Sequence, residues 1–324
     1  MPDLPLACSF SLSGLTLSED ERALFKDARP FGYILFKRNI ENPAQLRALT
    51  DSLRDLHGDD ELPILIDQEG GRVRRMGPPH WPAWPAAQAC ANAEEAGTIA
   101  SDMARSLVQA GINVNCAPVM DVWCESTHEA IGDRAFSDNP NDVFVKAHAQ
   151  CLSFLQRGIT PVIKHLPGQG RAMSDSHYDL PVVQATLDEL QAVDFKPFER
   201  MAAEESASQI WGMVSHIVYG AIDPDHPASV SAKVIGLIRE QIGFDGLLLS
   251  DDVSMGALEK YGNIEDRCLK MLESGCDIAL YCAGNLEEMV KIAACAPVLS
   301  APAKERYDRS RDRKAGRISG RPAA

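Results

Sequence analysis

The adjacent carboxylates Asp251 and Asp252 are the sharpest candidates for nucleophilic chemistry, because they directly follow the apolar run Gly246–Ser250. Successive side chains of a strand point to opposite faces, so only one of the two can face a barrel axis. Helix capping can explain one such Asp but does not readily explain the pair. Since a carboxylate is desolvated at a cost at a strand end, we expect one of them to have a chemical role.

The segment Asp175-Ser-His177 is a candidate acid–base pair, in a loop bracketed by Gly168, Gly170 and Pro181. A carboxylate that holds one imidazole nitrogen fixes the tautomer and leaves the other nitrogen available for proton transfer. The alternative interpretation is an exposed turn without a chemical role.

Further charged residues come after other predicted strands. Asp67, Arg72 and Arg75 follow Leu62–Ile66, Asp121 and Arg134 follow Ile112–Val119, and Lys164 and His165 come directly after Thr160–Ile163. Asp67 and Asp121 have an alternative role as helix N-caps, and Arg134 has one in a local salt bridge with Asp133. Lys164 is harder to dismiss, because a buried lysine needs a partner or a ligand. We interpret His216 as a satisfied core histidine or, at most, as pocket lining.

The elements that must position these residues alternate along the chain. Near-continuous apolar runs predict eight strands: Cys8–Leu15, Gly32–Phe36, Leu62–Ile66, Ile112–Val119, Thr160–Lys164, Gly212–His216, Gly246–Ser250 and Asp277–Tyr281. Helices are predicted at Pro43–His57, Ala93–Gly111, Asn141–Arg157, Leu187–Ser206, Ser231–Ile242 and Ile264–Ser274.

This alternation predicts the α/β class and, with eight strands, a single-domain (β/α)8 TIM barrel whose strand ends form one active-site rim. The rival is a doubly wound sheet, which is disfavoured because no strand opens into GxGxxG or a P-loop. We expect a barrel domain over residues 1–300 and a basic C-terminal helix and tail over 301–324, solvated and frayed at its end.

Composition narrows the class of protein. The 324 residues carry a net charge of −14, which argues against a nucleic-acid partner. No run reaches the roughly 18 apolar residues of a membrane span, and the N-terminus does not read as a secretory signal. Nine dispersed cysteines without a CxxC pair suit a reducing compartment, so we predict a cytoplasmic protein.

Several segments together resemble glycoside hydrolase family 3, and within it the bacterial NagZ-type β-N-acetylglucosaminidases. They are Asp67-Gln-Glu-Gly-Gly-Arg-Val-Arg-Arg75, Asn115-Cys-Ala-Pro-Val-Met-Asp-Val122, Ile131-Gly-Asp-Arg-Ala-Phe136, Lys164-His-Leu-Pro-Gly-Gln-Gly170 with Asp175-Ser-His177, and Leu248-Leu-Ser-Asp-Asp-Val-Ser-Met255. They run in the order and at the spacing typical of the family.

The resemblance implies Asp251 as the nucleophile and His177, supported by Asp175, as the acid/base. It also implies substrate contacts at Asp67, Arg75, Arg134, Lys164 and His165. The sequence departs from the family at Gln169, where a histidine is usual, and in the unusual segment Cys124–Glu129. We expect the Gln169 change to tune the loop rather than to abolish activity.

By the same resemblance, the substrate is a peptidoglycan fragment with N-acetylglucosamine β-1,4-linked to anhydro-N-acetylmuramic acid, hydrolysed during cytoplasmic wall recycling. We expect a monomer with no cofactor, no metal and no membrane partner. Alternatives within the family are a β-glucosidase, a broad exo-hexosaminidase and a phosphorylase. Alternatives from other classes are an inactive sugar-binding barrel and a Schiff-base aldolase acting through Lys164.

Overall fold

A computed structural model describes residues 4–174 and 180–312, and in these residues eight parallel strands close into a barrel. The strands are β1 (Leu6–Phe10), β2 (Pro30–Leu35), β3 (Ile64–Ile66), β4 (Val114–Asn115), β5 (Thr160–Leu166), β6 (Trp211–Val214), β7 (Leu248–Asp252) and β8 (Ile278–Leu280). Each pairs with the next, and β8 pairs back to β1 through Cys8 and Ala279. The predicted TIM barrel is therefore confirmed, with several strands shorter than expected.

The helices α1 to α9 surround the barrel in chain order. They are α1 (Glu19–Ala28), α2 (Pro43–His57), α3 (Ala93–Gln109), α4 (Pro140–Gln156), α5 (Lys196–Ala202), α6 (Ala232–Glu240), α7 (Ile264–Ser274), α8 (Leu286–Cys295) and α9 (Ala301–Arg311). Side chains of Asn or Ser cap most of them, for example Ser18 in a capping box with Glu21. No helix in the described part of the chain combines the length and apolarity needed to cross a membrane.

One predicted helix is wrong in its extent. The segment Leu187–Ser206 forms a single turn at Leu187–Glu189, a π-helical stretch at Leu190–Asp194 and then α5. Pro197 accounts for the break, since a proline lacks the N–H of a helix interior and its ring clashes with the carbonyl four residues earlier. The proline is tolerated here because it lies in the first turn of α5.

The barrel has two apolar cores, one inside the ring of strands and a larger one between the strands and the helices. Along β7 and the residue before it, Leu247 and Leu249 belong to the interior core, whereas Leu248 packs in the larger core beneath the helices. Because side chains alternate along a strand, a residue two positions beyond an interior residue is on the same side. By this alternation, Asp251 is on the same interior side as Leu249, Asp67 on that of Leu65 and Lys164 on that of Val162.

The N-terminal end of the barrel is closed by α9. Tyr307 packs edge-on against Phe31, with ring centroids 4.8 Å apart, and also contacts Trp211. Ion pairs also close this end of the barrel. We define their residues as the basal ion cluster: Arg239, Asp245, Asp277, Arg306 and Arg309. Because the described residues seal this end, a site is expected at the opposite end of the barrel.

Candidate active site

A cavity of about 270 Å³ opens at the C-terminal ends of the strands. Its charged and polar lining comes from Asp67, Glu69, Arg72, Arg75, Arg134, Lys164, His165, Gln169, Asp251 and Asp252, and its apolar lining includes Phe36, Val73, Met213, Met255 and Leu280. This is the rim at which TIM barrels build their active sites. Such a lining of hydrogen-bonding groups interspersed with apolar surface suits a polyhydroxylated ligand.

One wall of the cavity is an ion-pair network, the cavity ion cluster, which we define as Asp67, Glu69, Arg75, Arg134 and Lys164. The Lys164 Nζ lies 2.8 Å from Asp67 Oδ1 and 2.6 Å from Glu69 Oε1. Arg134 donates twice to Glu69, at 2.8 and 2.9 Å, and Arg75 donates to Asp67 at 3.0 Å. Each side chain is therefore held by at least one opposite charge.

Three members of the cavity ion cluster, Asp67, Glu69 and Lys164, have pKa values that keep them charged near neutral pH. Burial opposes ionisation of Asp67, but Lys164 and Arg75 outweigh it and hold the pKa of that carboxyl well below its usual range. Burial also opposes ionisation of Glu69, yet Arg134 and Lys164 lower its pKa to about 2. Although burial by itself lowers the pKa of the Lys164 ammonium, the two carboxylates raise it above its usual value.

The loop after β3 is fixed by the side chains of Gln68 and Asn115. Asn115 accepts a hydrogen bond from the Gln68 backbone N–H at 3.0 Å and donates to the Gln68 carbonyl at 2.9 Å. Gln68 in turn accepts from the backbone N–H groups of Arg75 and Met76. At Gly70, with φ of 102°, an added Cβ would lie 2.1 Å from the Pro85 carbonyl oxygen. These contacts hold Asp67, Glu69 and Arg75 in place around one turn.

Asp121 organises the neighbouring part of the rim. Its carboxylate is fully buried, lies 2.7 Å from His165 Nδ1 and accepts from the Gln169 backbone N–H, also at 2.7 Å. The other imidazole nitrogen, His165 Nε2, lies 3.4 Å from Arg134 Nη2. Asp121 thus fixes the orientation of the His165 ring, while the helix that follows is capped by Asn139 instead.

Asp251 and Asp252 both border the cavity, but their surroundings differ. Both Asp252 oxygens are occupied, since Oδ2 accepts from the Ser254 hydroxyl and Oδ1 from the backbone N–H groups of Ser254 and Cys282. Burial raises the pKa of Asp252. Asp251 continues the interior side of β7 beyond Leu249, and its Oδ1 accepts from the Asp252 backbone N–H at 2.8 Å. Asp252 therefore holds the chain after β7 in place, and Asp251 is the carboxylate on the interior side of the strand.

The chain matches known proteins over nearly its whole length. Residues 9–313 match the family model described as the glycosyl hydrolase family 3 N-terminal domain. The chain belongs to this family. This glycoside hydrolase is 37% identical over 283 residues to a protein of Alkalilimnicola ehrlichii named beta-hexosaminidase, covering 84% of the chain and 79% of that relative. A beta-hexosaminidase of Pseudomonas aeruginosa is 33% identical over 287 residues, covering 87% of the chain and 84% of the relative.

Solved structures agree with the family 3 assignment. NagZ from Neisseria gonorrhoeae, in complex with N-trifluoroacetyl-D-glucosamine, superposes with a TM-score of 0.84 at 29% identity. The match covers 96% of this chain and 91% of that one. A family 3 β-N-acetylglucosaminidase from Paenibacillus gives a TM-score of 0.82 at 26% identity, covering 98% of this chain and 62% of that chain.

Most of the residues expected at the family 3 site meet in the cavity. Asp67, Arg75, Arg134, Lys164, His165 and Asp251 all line it. Asp175 and His177 lie outside the residues that the structure describes, which end at 174 and resume at 180. The described residues that precede them are held where Thr127 donates to the Gly170 carbonyl at 2.6 Å, and where the buried Asp194 accepts from Arg171 at 2.7 Å. The unusual segment around Cys124 therefore holds the chain at Gly170.

Some local alternatives from the sequence are wrong. Arg134 pairs with Glu69 and not with its neighbour Asp133, which accepts from Arg72 instead. The helix after Asp67 is capped by Asn92, so capping is not the role of this Asp. By contrast, the interpretation of His216 as a satisfied core histidine is confirmed, since it is buried and lies 2.7 Å from the Ser229 hydroxyl and 2.9 Å from the Asp252 carbonyl.

Glu69 is the site residue that the sequence reasoning missed. It lies in the same strand-end segment as Asp67, two residues further along, and its side chain is only 7% exposed. The signal in the sequence is the excess of cations in this segment, since Arg72, Arg74 and Arg75 follow Glu69 within six residues and favour carboxylate partners. Glu69 joins the loop after β3 to Lys164 of β5 and to Arg134 of the loop after β4.

Proposed function

We propose that the protein is a retaining exo-β-N-acetylglucosaminidase that removes terminal N-acetylglucosamine from peptidoglycan fragments during cytoplasmic wall recycling. The observation that carries the proposal is the position of Asp251, which borders the same cavity as the cavity ion cluster. The names of the relatives, beta-hexosaminidase and NagZ, support the sugar specificity. A terminal sugar fits a cavity of about 270 Å³ that is sealed at its lower end by the barrel core.

The cavity ion cluster and His165 would bind the terminal sugar. Arg75, Arg134 and Lys164 can donate to its hydroxyls and to the acetamido carbonyl, and Asp67 can accept from hydroxyls at the non-reducing end. Because these side chains already hold one another, their geometry is set before the sugar binds, and little ordering entropy is lost on binding.

Asp251 would be the nucleophile. Its carboxylate attacks the anomeric carbon as the glycosidic bond breaks, and His177 protonates the departing oxygen. The glycosyl ester on Asp251 is then hydrolysed by a water molecule from which His177 removes a proton. This second step releases N-acetylglucosamine with retained configuration and restores both residues. Asp175 would orient the imidazole of His177.

Trapping of the glycosyl-enzyme tests the nucleophile. A 5-fluoro N-acetylglucosaminyl fluoride slows both steps but the second more, so a glycosylated enzyme accumulates and is mapped by mass spectrometry of its peptides. We expect the label on the peptide that contains Asp251 and none on the Asp251→Asn variant. A label on another carboxylate would remove Asp251 from this role.

Leaving-group dependence tests the acid/base. We expect His177→Ala to impair glycosides with poor leaving groups far more than activated aryl N-acetylglucosaminides, because only the former need protonation of the departing oxygen. Asp179→Asn, two positions further along the sequence, is the matched control. Equal losses on both types of substrate would argue against general-acid catalysis by His177.

Substrate comparison tests the specificity. The enzyme is assayed on aryl N-acetylglucosaminide, on aryl glucoside and on a GlcNAc–anhydroMurNAc disaccharide, each with and without phosphate. We expect preference for the N-acetylglucosaminides, with free sugar as the product in either buffer. A preference for glucoside, or a sugar phosphate as the product, would contradict the proposal.

A further inference from the structure

We propose that the side-chain amide of Gln169 accepts a hydrogen bond from a ring hydroxyl of the bound sugar and so contributes to substrate specificity. The inference rests on the proposed function, because it assigns a ligand contact within the same cavity. Gln169 lines the cavity beside Lys164 and His165, and it is 5% exposed.

The backbone around Gln169 is held on every side. The Gln169 N–H donates to Asp121, the Gly168 carbonyl accepts from the Tyr219 hydroxyl at 2.8 Å, and the Gly170 carbonyl accepts from Thr127. At Gly170 an added Cβ would lie 1.8 Å from the Val122 carbonyl oxygen, so the loop is pressed against its neighbour. These contacts fix the backbone from which the Gln169 side chain extends into the cavity lining.

In contrast to this backbone, the Gln169 Oε1 atom is buried and has no hydrogen-bond donor among the described residues. The nearby cations are already engaged, since Lys164 binds Asp67 and Glu69, and Arg134 binds Glu69. A buried carbonyl without a donor costs free energy, and native proteins keep few such groups. The group is explained if a ligand supplies the missing donor.

A sugar hydroxyl matches what the lining of the cavity lacks. Besides the acceptor on Gln169, the cavity-lining Arg75 has a buried Nε–H that has no acceptor in the described part of the chain. Hydroxyl groups both donate and accept, so a polyol can satisfy both kinds of unpaired atom. A site built to bond a hydroxyl rejects analogues that lack it, because its polar group is then left unpaired.

The first experiment compares Gln169→Met and Gln169→Glu with the wild type on aryl N-acetylglucosaminide. Methionine keeps the length and approximate volume of glutamine but has no amide, whereas glutamate keeps the acceptor. We expect Gln169→Met to lower kcat/KM about tenfold or more while its Tm stays the same or rises, because an unpaired buried group is removed. We expect Gln169→Glu to retain more of the activity.

A purely structural role predicts the opposite pattern, a lower Tm for Gln169→Met with unchanged kcat/KM in the folded enzyme. That result would overturn the inference. Equal loss of activity in the Met and Glu variants would also overturn it, because the oxygen acceptor would then not matter.

The second experiment uses the 3-deoxy, 4-deoxy and 6-deoxy forms of the same aryl glycoside. We expect the wild type to lose about tenfold or more in kcat/KM on one of them, and Gln169→Met to show no further loss on that same compound. If Gln169→Met instead lowers kcat/KM by the same further factor on all three deoxy compounds, the contact with a ring hydroxyl is overturned. If the wild type fails to hydrolyse the parent glycoside, the proposed function itself is wrong, and this outcome is distinct from the others.

Discussion

The two ends of the barrel carry ion clusters made from the same chemical groups, and they have different surroundings. In the basal ion cluster, Asp277 accepts from Arg239 at 2.8 Å, from Arg306 at 2.9 Å and from the Leu248 backbone N–H at 2.9 Å. Helix α9 covers this cluster and joins it to the aromatic layer of Phe31, Trp211 and Tyr307. The cavity ion cluster is bonded just as densely, but its charges border open space.

The comparison shows that ion pairing by itself does not reveal function. The basal cluster ties α9 to the loops that precede β7 and β8, so its contribution is to stability. The cavity cluster holds hydrogen-bonding side chains around the cavity that Asp251 also borders, which supports the proposed sugar binding and chemistry. Substitutions at the two ends should therefore separate activity from stability.

The largest effect is expected for Asp251→Asn. The amide cannot form the glycosyl ester, so we expect kcat to fall on the order of 10⁴-fold or more. The side chain keeps its size, so the Tm should change by no more than a few degrees. Steady-state kinetics on aryl N-acetylglucosaminide and thermal melting check both parts, with Asp252→Asn as the neighbouring variant. An Asp251→Asn enzyme with a tenth of wild-type activity would contradict the role.

A smaller effect is expected for Glu69→Gln in the cavity ion cluster. Loss of this charge leaves Arg134 and Lys164 less firmly held, so we expect kcat/KM to fall about 10²-fold, chiefly through a higher KM. The matched control is Asp133→Asn at the rim, where the carboxylate is 43% exposed and pairs only with Arg72 among the described residues. An unchanged KM in Glu69→Gln would show that the network does not position substrate-binding groups.

For the basal ion cluster we expect loss of stability without loss of activity. Asp277→Asn removes a buried charge that holds two guanidinium groups, so the free energy of unfolding should fall by about 2 kcal/mol. Asp245→Asn is the control, because its carboxylate is 58% exposed and should contribute less than about 1 kcal/mol. Denaturant unfolding measures both variants, and kcat/KM below the transition should match that of the wild type. Reduced kcat/KM would remove the functional distinction between the two ends.

The pH dependence should give the smallest effect. The pKa of Glu69 is about 2 in the folded protein, below its ordinary value of 4.5, so its ionised form stabilises the fold above pH 4.5. This contribution is lost as the pH falls from 4.5 toward 2, at no more than about 1.4 kcal/mol per pH unit. The difference in unfolding free energy between wild type and Glu69→Gln should therefore shrink on acidification. A constant difference over this range would contradict the lowered pKa.

Much of the fold could be predicted from local patterns. The eight apolar runs coincide with the eight barrel strands, and the helices at Pro43–His57 and Ile264–Ser274 have the predicted bounds. Strand ends were less accurate, because within the predicted run Ile112–Val119 the regular ladder covers Val114 and Asn115, and Val119 adds an isolated bridge to Lys164. Helices α1 and α8 were not assigned bounds from the sequence. The predicted C-terminal helix begins at residue 301 as α9, but it packs against the barrel through Tyr307 where a solvated helix was expected. The apolar residues of α9 do not form a clear helical stripe, so its position is set by contacts to the barrel such as that of Tyr307 with Phe31.

The sequence by itself determined which residues could reach the rim, since apolar runs of alternating orientation end in Asp67, Lys164 and Asp251. Only the tertiary structure decided which of them hold one another. Arg134 pairs with Glu69, 65 positions away in the sequence, rather than with the adjacent Asp133. Lys164 pairs with Asp67, 97 positions away. The physical reason is that ion pairing depends on distance through space, and closure of the barrel sets that distance by aligning strands that are remote in the chain.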